Sequence, residues 1–172
     1  FHNIGMDYRY RWNQFVFSGE TAVGKGGGIG TLNTISYNPS YAYQFIFVQR
    51  HYSRDYWALF ARSFSEGGYV QNESGYYLAV DMSPIRYWKF FLSADVFKFP
   101  WLKYLIDKPS SGFDGIIQTT FTPRKNLNMF IRYQYKQKEK NFTDDHKIKS
   151  VRPIYHHKLR YRLSYAPFTN LS

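Results

Sequence analysis

The residues best able to do chemistry fall into three sets. Gly19-Glu20-Thr21-Ala22-Val23-Gly24-Lys25 matches a phosphate-cradling P-loop as far as its lysine. The next residue is Gly26, where Ser or Thr is needed to hold magnesium, and a P-loop opens a helix. Here the glycines lead to another strand, so Lys25-Gly26-Gly27-Gly28 reads as a turn and no nucleotide is expected. His51, His156 and His157, with Asp55, Asp144 and Asp145, form the second set. Their spacing matches no metal or triad signature, and solvated loop residues are the simpler reading. No catalytic, metal or cofactor site is therefore assigned. Cysteine is absent, which removes disulfides and thiolate metal sites.

The third set is basic: Arg9, Arg11, Arg50, Arg132, Lys136, Lys158, Arg160 and Arg162. Each falls at the polar phase of an alternating stretch. Fewer acids share that phase: Asp7, Glu20, Asp81, Asp95 and Asp114. Two readings stay open, a network of paired charges or a field that favours anions. The formal net charge of +11 makes anionic partners natural.

The elements that must carry these residues follow from the alternation itself. Ile4, Met6, Tyr8, Tyr10 and Trp12 interleave with Gly5, Asp7, Arg9 and Arg11. Successive strand side chains point to opposite faces, so one face is apolar and the other charged. The pattern predicts strands over about 3–12, 14–24, 30–38, 41–52, 76–83, 88–98, 114–122, 127–138 and 157–166. Asn33 breaks it by sharing a face with Ile35 and Tyr37.

Short connections carry proline: Asn38-Pro39, Ser83-Pro84, Thr122-Pro123 and Ala166-Pro167. Proline lacks a ladder donor and stops strands. Long loops are expected over 53–75, 99–113 and 139–156. The first holds Tyr56, Trp57, Phe60 and Phe64, and the second holds Trp101 and Tyr104. A loop so apolar is expected to fold inward, to anchor at an interface, or to contact a partner. Aromatic–basic interleaving also occurs in single-strand nucleic-acid binders, so nucleic acid stays a second expectation without a motif behind it.

Aromatics form 22% of the chain and mean hydropathy is −0.52. No apolar run approaches the roughly 20 residues of a spanning helix. Alternation, aromatic excess, and short turns opposite long loops predict an all-β, antiparallel transmembrane β-barrel, with residues 1–172 as one domain or barrel fragment and no separate soluble domain. Nine strands suit a piece of a larger, even-stranded barrel. The chain opens on a strand and stops soon after the turn at Ala166–Asn170, as such a piece would.

Asn72–Val80, Trp88–Leu102 and Asp107–Gly112 resemble the C-terminal barrel of Bacteroidota-type outer-membrane proteins that carry a helix-hairpin-helix segment and are labelled ComEA-like. The resemblance spans about 30–166. It implies a bacterial outer-membrane location and barrel architecture. This chain has no helix-hairpin-helix segment, so no DNA-binding residue carries over. The expected function is a non-enzymatic pore, or a membrane-embedded subunit of an envelope transport or secretion assembly. Its expected partners are the lipid bilayer, lipopolysaccharide and other envelope subunits. An outer-membrane enzyme with a loop-borne site and a basic nucleic-acid-binding β-domain are the rivals.

Overall fold

The computed structural model describes residues 2–58, 63–104, 106–143 and 149–166. They form one open antiparallel sheet of nine strands in chain order, with no helix among the described residues. The strands are β1 (Asn3–Trp12), β2 (Phe15–Gly24), β3 (Ile29–Ser40), β4 (Tyr43–Tyr52), β5 (Glu73–Met82), β6 (Trp88–Phe99), β7 (Ser110–Arg124), β8 (Leu127–Thr143) and β9 (Lys149–Tyr165).

Turn chemistry agrees with the sequence. Asn13 takes a positive φ of 51° in the β1–β2 turn, a conformation asparagine tolerates better than most residues. Pro39 and Pro123 both lie inside register shifts, between Tyr37 and Ser40 and between Phe121 and Arg124. A residue without an N–H is accommodated where the ladder is already broken.

The last two strands depart from the expectation. Residues 139–156 are not mostly loop. β8 runs to Thr143 and β9 starts at Lys149, and both strands are 17 residues long. Lys140 pairs with Arg152 and Glu139 with Pro153. Charge on both faces and an internal proline hid this ladder. Proline is tolerated here because β9 is an edge strand.

Register makes the two faces continuous across the sheet. One row reads Trp12, Phe15, Tyr37, Phe45, Val80, Leu92, Ile117, Tyr133 and Leu159. It is apolar throughout, and many members of this face are open: Ile4 is 76% exposed and Leu159 75%. Ring contacts run along it, with Phe15 stacked on Tyr37 at a centroid distance of 4.4 Å and Trp88 tilted against Phe121 at 4.5 Å. Asn33, the polar exception, is satisfied within the face. It accepts from the Tyr8 hydroxyl at 3.0 Å and donates to Gln49 at 2.6 Å.

The turn ends slip along the sheet. β1 stops at Trp12, in the row of Leu159, whereas β9 continues to Tyr165. That stagger of six residues accumulates over eight strand-to-strand steps.

Candidate functional site

Every basic residue singled out from the sequence lies on the face opposite the apolar rows. One row reads Arg9, Ser18, Thr34, Val48, Tyr77, Asp95, Asp114, Lys136 and His156. Neighbouring rows on the same face carry Arg11 with Lys158, Arg50 with Lys138, Arg132 with Arg160, and Phe130 with Arg162.

The deepest charge is on this face. Arg50 is 1% exposed and Glu73 is 0% exposed. Arg50 Nε donates to Glu73 Oε1 at 2.6 Å, and its two terminal nitrogens donate to Asp95 at 2.8 and 3.0 Å. Glu73 also accepts the backbone N–H of Glu66 at 2.8 Å and of Gly67 at 2.9 Å. The carboxylates are thus tied to donors on two sides, as buried charge requires. Asp95 was expected on this face. Glu73 was not singled out, because it sits in a stretch expected to be loop. Its signal is that Glu73, Gly75 and Tyr77 continue the charged-face phase of β5.

Room for these groups comes from alternating large and small residues in one row: Arg50, Gly75, Phe97, Gly112 and Lys138. A Cβ on Gly75 would come 2.7 Å from the Arg50 guanidinium carbon and 2.9 Å from the Val96 carbonyl oxygen. One on Gly112 would come 2.4 Å from the Phe97 ring. Only glycine lets the two large groups lie flat on the sheet.

The β4–β5 loop folds over this face. Tyr56 is buried and its ring lies over Gly30, where a Cβ would approach to 2.6 Å. With Ala22, Tyr52 and Val70 it makes a small apolar cluster. Burial, then the charge of Glu20, raises the Tyr56 pKa. The Tyr52 hydroxyl donates to the Phe64 carbonyl at 3.0 Å, and the Arg50 guanidinium lies 4.9 Å from the Phe64 ring centroid. Further along, Glu66 reaches Lys136 Nζ at 2.9 Å and also pairs with Lys138, while Lys136 holds Asp114 at 2.8 Å. Trp57 and Trp101 keep exposed faces, Trp101 under Arg54 at 4.8 Å, and Tyr104 is open. Phe60 lies outside the described residues. Of the loop contact candidates, Tyr56 is thus turned inward and is not a free surface group. Lys103 sits 3.7 Å from the Phe99 ring centroid. Burial there, then Lys138, lowers its pKa below the usual lysine range.

The histidines do not converge. His51 bonds Ser74 at 2.8 Å and His157 bonds the Tyr133 hydroxyl at 2.8 Å, both on the apolar side, whereas His156 shares the row of Lys136. Asp144 and Asp145 lie outside the described residues. No group of three potential metal ligands occurs among the described residues. Gly19–Lys25 runs along β2 into a hairpin with β3, not into a helix.

Comparison with protein-family models, with curated proteins and with solved structures returns no match. The resemblance to helix-hairpin-helix barrel proteins stands on this chain's residues alone.

Proposed function

We propose that this chain forms part of a non-enzymatic β-barrel of a bacterial outer membrane, acting as a pore or as a membrane-embedded subunit of an envelope transport assembly. One observation carries the reading: the face that is apolar throughout is the open one, and burial among the described strands is confined to the opposite face. The buried strand residues lie on the charged face, Arg50, Glu73 and Asp95 together with apolar groups such as Val48, Ala79 and Phe97, while Ile4, Leu78, Ile131 and Leu163 on the other face are half or more exposed. Leaving such an apolar face in water is unfavourable by about 25 cal/mol per Å². Hydrocarbon removes that cost.

Dimensions agree. Trp88 to Val96 on β6 covers about 27 Å at roughly 3.4 Å per residue, close to the ~25 Å apolar band of membrane barrels. Trp12, Tyr37, Tyr43 and Trp88 gather at the turn end, where an interfacial aromatic girdle would lie. That no helix among the described residues is long and apolar enough to cross a membrane is neutral for a barrel. The inward β4–β5 loop suits a constriction of a wet interior.

The test is lipid quenching. In vesicles of brominated phosphatidylcholine, variants retaining only Trp12 or only Trp88 should lose most of their fluorescence. Protein that stays monomeric in water without detergent, with neither tryptophan quenched, would refute the assignment. The nucleic-acid and enzymatic readings gain no specific support from the geometry.

A further inference from the structure

Gln134, Lys136, Lys138, Lys140, His156 and Lys158 line a cleft of ≈ 300 Å³ on the charged face of the β8–β9 hairpin. We propose that this cleft is a binding site for an oligoanion, a solute with two or more neighbouring phosphate or carboxylate groups. The site stands on the cleft's own chemistry; only the role of such a solute as cargo rests on the membrane reading.

The cleft already takes one carboxylate. Glu66, delivered by the β4–β5 loop, contacts both Lys136 and Lys138, and Asp114 completes Lys136. Glu66 sits mid-cleft, and Lys140 and Lys158 flank it on opposite sides. Lys140 and Lys158 make no ion pair among the described residues. At one end Lys140 faces Arg152 across the ladder; at the other, Lys158 is followed on β9 by Arg160, which faces Arg132, and by Arg162. Like charges placed opposite one another are unfavourable, and an anion between them relieves the repulsion. Alternate strand positions set the lysines about 6.8 Å apart, so a single compact charge cannot satisfy them all. Neighbouring anionic groups on one solute can.

The lining also argues against nucleic acid. No Phe, Tyr or Trp ring lines the cleft, whose one aromatic group is the His156 imidazole. Binders of single strands need rings on which bases stack. Lysines act as point charges for phosphate or carboxylate without base readout.

Calorimetry on the detergent-solubilised chain at low ionic strength tests this, with pyrophosphate and tricarballylate as probes. The wild type should bind at least one, and the preferred probe tells phosphate from carboxylate chemistry. Lys140→Gln/Lys158→Gln, checked for intact β-structure by circular dichroism, should weaken binding by about tenfold or more. Glu66→Gln should strengthen it, because the competing internal carboxylate is gone. No binding of either probe, or binding unchanged by the double substitution, would overturn the proposal. So would a single-stranded oligonucleotide that binds far more tightly than both probes. Detergent partitioning of the same preparation judges the membrane reading separately.

Discussion

Arg50 and Arg160 lie on the same face of one sheet under opposite conditions. Arg50 is enclosed on all sides, with two carboxylates as partners and a phenylalanine ring beside it. Arg160 is exposed and faces Arg132, whose Nε donates to the neutral Gln118 at 2.8 Å. The central strands have compensated their charge and covered it with a loop. Among the described residues the last hairpin has done so at Lys136 and Lys138 but not at Arg160. Identical side-chain chemistry therefore acts as structure in one region and as an open electrostatic surface in the other.

The largest effect should come from the compensated region. Arg50→Met leaves Glu73 and Asp95 buried without their cation. Breaking a buried pair costs about 3–5 kcal/mol, so urea unfolding in lipid vesicles should show a loss of that order. A loss under ~1 kcal/mol would place Arg50 with the exposed arginines. Gly112→Ala comes next. The methyl must displace the Phe97 ring, and overpacking of this kind costs about 1–3 kcal/mol in the same assay.

A smaller effect separates the loop from the sheet beneath it. The Tyr56 pKa is raised, so the folded state favours the neutral phenol. The associated stability is complete below the ordinary tyrosine value of about 10 and is lost as pH climbs through the raised one. Alkaline titration should detach the β4–β5 loop before the sheet unfolds, read as protease cleavage within residues 53–72. Tyr56→Phe should shift that onset upward. The smallest effect belongs to the last hairpin. Arg160→Gln removes half of a like-charged pair and should leave stability within about 0.5 kcal/mol or raise it slightly. A large destabilisation there would erase the contrast between the regions.

Much of this contrast was legible in the residues. Period-two alternation located the nine strands and assigned each basic residue to its face, because a strand offers only two phases. Pairing was not legible. Whether Arg50 is neutralised depends on Glu73 and on a loop whose path is set by Tyr56 on Gly30 and Glu66 on Lys136. Those contacts join residues far apart in the chain, and alternation does not encode them. The tip of the last hairpin was missed for another reason: Glu139, Lys140, Arg152 and Pro153 have no apolar phase to follow, so only the ladder reveals them.

The stagger of the turn ends has a geometric outcome. Six residues at ~3.4 Å set against eight steps at ~4.8 Å give an incline of roughly 28° if those ends share a plane. A 17-residue strand leaning that far rises about 51 Å, roughly twice the height of the ~25 Å apolar band. In a bilayer the final hairpin would then stand clear of the hydrocarbon like a mast, lifting Lys140 and Arg152 toward whatever passes outside.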